Sequence, residues 1–176
     1  MKLDECIRIR PITEDDTDLI VKWRNESFVR KNFIYQDDFT KEGHLTWYHE
    51  QILTKNVYQF IISNIAENKD IGSIYLRDID LLNQKAEYGI FIGESDFLGK
   101  GIGTEAGRQL LDFAFNTLGL NKVYLRAFSF NKQAITSYEK IGFKVDGVFR
   151  DDVYINGTFQ DIVFMSILKG EFYEKY

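Results

Sequence analysis

Three glycines at positions 99, 101 and 103 stand between an apolar strand-like run, Tyr88 to Ile92, and a helical pattern that follows them. The first four N–H groups of a helix have no partner inside it, and the aligned peptide dipoles place partial positive charge there, so a helix start is a natural place for a phosphate. Glycines strip away the side chains that would keep an anion from those amides. After Gly103 the apolar residues Ile102, Ala106, Leu110, Phe113 and Ala114 keep helical spacing, while Glu105, Arg108, Gln109, Asp112 and Asn116 fall on other faces. The same glycines also suit a turn that merely needs positive φ, and the loop alone does not choose between the two.

The elements that position this loop follow from pattern and turn chemistry. Cys6 to Arg10 alternates apolar and charged residues, a half-buried strand stopped by Pro11. Thr13 is a good N-cap for a helix over 14–25, with a short helical piece over 27–32 and a Thr40-capped helix carrying Leu45, Tyr48, Ile52 and Leu53. Runs at Val57 to Ile65, Ile71 to Asp78 and Ala86 to Ile92, joined by short polar connections, predict an antiparallel meander. The glycine loop and a helix over about 101–118 come next, with Gly119 as C-cap. A strand over Val123 to Ala127, a helix over Gln133 to Ile141 and a strand over Phe143 to Phe149 follow. The last feature is a hairpin with Asn156-Gly157 at its turn, between Val153–Ile155 and Phe159–Leu168. The expected fold is one α/β (α+β) domain over 1–176, a central mixed, mostly antiparallel sheet flanked by helices.

Composition bounds the function. A chain of 176 residues with 44% hydrophobic content can bury one core. Its net charge of −5 argues against a nucleic-acid partner, since a duplex binder needs a basic face. The lone Cys6 and the lack of CxxC or HExxH spacing point to a reducing compartment and no metal. Charges in the N-terminal MKLDECIRIRPI, and no apolar run approaching ~18 residues, predict neither a signal peptide nor a membrane span. A cytoplasmic protein is expected.

Two phosphate-binding patterns fail in this context. Gly101-Ile-Gly103-Thr-Glu-Ala106 fits the dinucleotide G-x-G-x-x-A, but that fold wants a carboxylate about 20 residues on, at the end of the next strand. Here that strand reads Val123-Tyr-Leu-Arg-Ala127. No G-x-x-x-x-G-K-[ST] occurs either. A more specific match joins Leu98-Gly-Lys-Gly101-Ile-Gly103 to Asn131-Lys-Gln-Ala134-Ile-Thr-Ser-Tyr138-Glu-Lys-Ile-Gly142-Phe143. Together they resemble the GNAT superfamily of acetyl-coenzyme A-dependent N-acetyltransferases, whose loop Q/R-x-x-G-x-G/A is followed by N-x-x-A-x-x-x-Y-x-x-x-G-F. Leu98 departs from the family's Gln or Arg. The stretch FLGKGIGTEAGRQLLDFAFNTLGLNKVYL and the closing DDVYINGTFQDIVFMSIL resemble the branch of ribosomal-protein N-terminal and spermidine acetyltransferases. KWRN at 22–25, Glu42, His44-Leu45 before Trp47, and AEYGIF at 86–91 look also like the amino-sugar acetyltransferase of the pseudaminic acid pathway.

The resemblance implies acetyl-CoA as donor and a small-molecule amine as acceptor, with a homodimer as a common assembly. An acceptor ammonium of pKa ~10.4, with Lys as guide, must lose a proton before it attacks, and Glu87 is the candidate base, directly or through water; the alternative is a strand residue in a salt bridge. Tyr138 stands at the family's general-acid position for a thiolate of pKa ~8.5, and read alone is also a good core tyrosine. Leu98, Gly99, Lys100, Gly101, Ile102, Gly103 and Thr104 are expected at the pyrophosphate, Phe91, Ile92 and Gly93 along the pantetheine arm with Asn131, and Lys132 at an outer phosphate. Trp23, Arg24, Phe28, Arg30, Tyr35, His44, Trp47 and Tyr75 are the unusual residues for an acceptor pocket, though aromatics at helical spacing are also ordinary core. Arg and rings suit an amino sugar nucleotide. A polyamine would want carboxylates, which Asp37, Asp38, Asp78 and Asp80 could supply; a protein N-terminus, or coenzyme A binding without chemistry, completes the set.

Overall fold

A computed structural model describes residues 6–176. Met1 to Glu5, part of the charged N-terminal stretch, lie outside the described residues. The chain runs β1 (Ile7–Pro11), α1 (Thr17–Asn25), α2 (Ser27–Arg30), α3 (Lys41–Trp47), β2 (Tyr58–Asn64), β3 (Lys69–Asp80), β4 (Lys85–Ile92), α4 (Ile102–Asp112), β5 (Lys122–Phe128), α5 (Lys132–Ile141), β6 (Lys144–Ile155), β7 (Thr158–Leu168) and α6 (Lys169–Lys175). The seven strands form one sheet in the order β1-β2-β3-β4-β5-β7-β6, an α/β fold with a single parallel pair, β4 with β5. No helix among the described residues is long and apolar enough to cross a membrane.

The expected meander is present, since β2, β3 and β4 pair antiparallel. The Asn156-Gly157 turn has φ of 51° and 83°, the pair of positive values that a type I′ hairpin demands. Two expectations shift. The helix expected over 14–25 opens as a 3₁₀ turn, Glu14–Asp16, because the Asp16 carboxylate accepts from Thr13 N and Oγ1 and is gripped by Arg10 at 2.9 and 2.7 Å. The strand expected to stop at Phe149 continues to Ile155 through two irregularities in β6, one between Val145 and Gly147 and one between Phe149 and Val153.

Two apolar clusters cover the two faces of the sheet. The larger buries Ile102, Ala106, Leu110 and Leu111 of α4 against Ile74, Leu76, Ala86, Tyr88, Val123 and Leu125. The smaller packs Trp23, Val29 and Tyr48 on Ile61 and Phe91. Trp23 is fully buried, its Nε1 donates to Glu94 at 2.9 Å, and Glu94 also pairs with Lys69 at 2.7 Å, so the end of β4 is anchored to α1 and β3.

Gly93, one residue beyond β4, sits face-on to the Trp23 indole, and a Cβ there would fall inside the ring's contact radius. Gly93→Ala is therefore expected to lower stability by about 1–3 kcal/mol in urea unfolding, the range for overpacking a tight core. An unchanged midpoint would mean that this contact yields freely.

Candidate active site

The parallel pairing of β4 with β5 is brief: Lys85, Ala86 and Glu87 pair with Lys122, Val123 and Tyr124, and the strands then part. Downstream, the β5-facing edge of β4 and the β4-facing edge of β5 lack a strand partner. A cavity of about 710 Å³ opens there, within the range of small-molecule sites, lined from β4 (Glu87 to Ile92), β5 (Arg126 to Phe128), the glycine loop, the start of α5 and the segment after α2.

At one end lies the glycine loop. Gly99 and Gly101 have φ of 74° and 79°, which L side chains rarely adopt. The N–H groups of Gly99, Lys100, Gly101, Ile102 and Gly103 make no hydrogen bond to protein among the described residues, whereas Thr104 N and Glu105 N already donate to Gly101 O. A run of free amides at the start of an eleven-residue helix is a fit for a pyrophosphate. Leu98, Gly99, Gly101, Ile102, Gly103, Thr104, Phe91, Ile92, Asn131 and Lys132 all line the cavity. The backbone of Tyr88 to Ile92 offers the open edge that an extended pantetheine arm can pair with.

Two expected cofactor residues stand elsewhere. The Gly93 amide is spent on Ile71 O at 2.9 Å and its α-carbon on Trp23, so it serves packing. Lys100 does not line the cavity, and its Nζ lies 5.2 Å from the Phe97 ring centroid. Asn131 has further work: its Oδ1 caps α5 by accepting from Ala134 N at 3.2 Å, and its Nδ2 donates to Asn32 Oδ1 at 3.1 Å, linking the segment after α2 to the β5–α5 turn.

Strand alternation sets the two expected catalytic residues on opposite sides of the gap. Tyr88 points to the α4 and α5 face, where it meets Tyr138 edge-on with centroids 5.9 Å apart. Burial, and then the neighbouring Tyr75, push the Tyr138 phenol well above the ordinary tyrosine range, so it stays protonated and able to donate. Glu87 points to the other face and is 4% exposed. Its carboxylate accepts from Arg126 Nε and Nη2 at 3.0 and 3.2 Å and from Arg77 Nε and Nη2 at 3.3 and 3.1 Å. Burial alone would raise its pKa, but the two arginines outweigh it and hold the carboxylate below its ordinary value. Glu87 reaches the cavity as expected, but as a clamped anion with four donors on it, which makes it a poor base.

The expected acceptor residues divide. Phe28, Tyr35 and Tyr75 line the cavity, with the Tyr75 ring laid against Gly89, where a Cβ would overlap it. Trp23 is core. His44 is 1% exposed, its Nδ1 3.1 Å from Thr17 Oγ1, and burial holds its pKa down to about 4, so it stays neutral and structural. Arg30 is held by Asn25 Oδ1 at 2.6 Å and Asp38 at 2.9 Å. Arg24 stacks its guanidinium on Phe33, 3.3 Å from the ring centroid, one layer behind the wall. Pattern reading missed Arg77, Arg126 and Phe33. The usable signal was alternation along β5, which puts Tyr124, Arg126 and Phe128 on the face of Glu87, opposite the buried Val123 and Leu125. Among the described residues no cluster of three or more His, Cys, Asp or Glu could hold a metal.

Residues 7–144 match the family model described as an acetyltransferase (GNAT) domain. The chain is 32% identical over 175 residues to the probable N-acetyltransferase YjcK of Bacillus subtilis, covering 95% of this chain and 96% of that protein. It is 26% identical over 168 residues to the spermidine N(1)-acetyltransferase of Escherichia coli K12, with 94% and 88% covered. The putative ribosomal N-acetyltransferase YdaF of B. subtilis is 43% identical, but over 100 residues that span about half of each protein, 57% and 54%. Among solved structures, the spermidine N-acetyltransferase of Vibrio cholerae in complex with CoA and spermine superposes with a TM-score of 0.89 at 25% identity, covering 96% of this chain and 99% of that one.

A carboxylate whose folded-state pKa is lowered contributes stability above its ordinary value and loses it as pH falls through the folded one. Replacing Glu87 by Gln should therefore cost about 3 kcal/mol at pH 7, as two arginines lose a buried partner. The gap between wild type and variant should narrow in urea unfolding as pH drops from neutral below about 4.5, the ordinary value for this group. A gap that does not change with pH would contradict the clamp.

Proposed function

The chain belongs to the GNAT acetyltransferase family, its donor is acetyl-CoA, and we propose that it acetylates the primary amine of a small molecule by direct attack in a ternary complex. The observation that carries this reading is the alignment, along one cavity, of free loop amides, an unpaired strand edge and the Tyr138 side chain. Acetyl-CoA supplies a thioester whose acetyl carbon accepts the amine and whose sulfur leaves as a thiolate. The loop amides from Gly99 to Gly103 hold the pyrophosphate, and Lys132 adds charge at the rim. The edge of β4 orients the arm. The Tyr138 hydroxyl gives its proton to the departing sulfur, while the nitrogen loses its proton to water, since the Glu87 lone pairs are taken.

For the acceptor, the names of the similar proteins support a polyamine ahead of the amino sugar nucleotide, with a protein N-terminus as the alternative. Nothing in those names speaks for the pseudaminic-pathway likeness of the N-terminal half. The support comes from similarity along the chain, because Glu87 is the one carboxylate lining the cavity among the described residues. The single Cys6, which has no second cysteine to pair with in this sequence, favours a cytoplasmic workplace. Self-association fits the outer strand β6, where Val148, Phe149 and Tyr154, with Phe159 of β7, are exposed.

Tyr138→Phe should lower kcat about 10²–10⁴-fold in a thiol-release assay, with coenzyme A affinity retained. Full turnover by that variant would remove the proton-donor assignment, and coenzyme A binding with no turnover of any amine by the wild type would favour a sensor. Light scattering should find a dimer or larger species, which Phe149→Ser shifts toward monomer.

A further inference from the structure

Arg77 and Arg126 face the same cavity from β3 and β5 and meet at Glu87 on the strand between them. Each spends its Nε and Nη2 on that carboxylate. The Nη1 of each donates to no protein group among the described residues. A guanidinium has five N–H donors in a planar fork, so both arginines keep an edge suited to an oxyanion. Just outside the cavity, Asp78 stands 3.8 Å from Arg77 Nε. Lys31 also lines the cavity, while Glu87, the sole acid lining it among the described residues, is shared by two arginines. Behind the wall, Arg24 has no carboxylate within ion-pair distance among the described residues and carries a buried Nη1 without a partner. Burial holds its pKa down to about 10, which leaves it cationic at neutral pH.

A polycation would need the reverse. The carboxylates that could serve it are placed outside the cavity: Asp38 pairs with Arg30, Asp80 accepts from Asn83 N and Nδ2 in the turn after β3, and neither Asp37 nor Asp78 lines it. Inside the cavity a second ammonium beside Arg77 and Arg126 would meet like charge, with Glu87 already shared by both arginines and Asp78 turned to Arg77 outside it.

Resting on acetyl transfer as the reaction, and departing from the polyamine that the names of the similar proteins support, we infer that the acceptor is an amine whose molecule also carries an anionic group, a carboxylate or a phosphate, received by the free edges of Arg77 and Arg126. Glu87 is then a positioning residue that holds both guanidiniums beside the gap. Phe28, Tyr35 and Tyr75 supply the apolar walls between the anion and the amine.

The test is thiol release by the full chain with acetyl-CoA and matched acceptors compared per free base: glycine against glycinamide, glucosamine 6-phosphate against glucosamine, and spermidine as the polycation. The anionic member of at least one pair should exceed its neutral partner in kcat/KM by at least about tenfold, with spermidine below it, since charge-assisted pairs are the strong ones. Whichever pair responds tells carboxylate from phosphate. Arg126→Gln should raise KM for the anionic acceptor about tenfold more than it does for the neutral partner. Spermidine turned over fastest, or equal rates within both pairs, would overturn the inference and leave acetyl transfer standing. No release with any amine, despite coenzyme A binding, would overturn both.

Discussion

The site depends on where β5 leaves β4. Three residue pairs hold the strands together, and beyond Glu87 and Tyr124 no further pairing follows. Unpaired backbone groups are costly when buried, so a parted pair of strands persists only if water or a ligand can take those groups. The gap is therefore both a weakness in the sheet and the reason it can bind an extended arm. Its flanks are secured independently. On one side β5 is paired along its length to β7 from Lys122 to Phe128, and on the other β4 is paired to β3 from Gly72 to Arg77.

From that gap the division of labour follows by alternation. Even-numbered β4 residues such as Ala86 and Tyr88 turn toward α4 and α5, where Tyr138 packs, and odd-numbered ones such as Glu87 and Phe91 turn toward α1 and the segment after α2. In the proposed reaction, proton donation and acceptor recognition thus belong to opposite faces of one sheet. Gly89 belongs to the acceptor face and has no side chain because the Tyr75 ring occupies the place where one would go.

Much of the framework was legible because it rests on local rules. Period-two runs gave the strands, Asn156-Gly157 gave the hairpin, and Gly99 and Gly101 do hold positive φ at the mouth of α4. What stayed hidden was set by partners distant in the chain. Glu87 reads as a free strand carboxylate until Arg77 and Arg126 are brought beside it, the second from 39 residues away. Gly93 reads as part of the strand edge offered to the pantetheine arm, yet it is small because of Trp23. His44 and Trp23 are chemically capable side chains that the fold spends on packing, and helical spacing alone could not tell that from a pocket.

Cofactor and acceptor ends tolerate change differently. The proposed pyrophosphate site is a row of main-chain N–H groups, so a Leu at position 98 in place of Gln or Arg removes one side chain and leaves that row intact. The acceptor end is made of side chains from β3, β4, β5 and the segment after α2, and any of them can be exchanged without moving a strand. Similarity spread over the fold therefore carries the reaction further than it carries the acceptor. A chain can keep the family's sheet and loop while the side chains around the gap, such as Arg77 on β3 and Arg126 on β5 with β4 between them, differ and so change the acceptor.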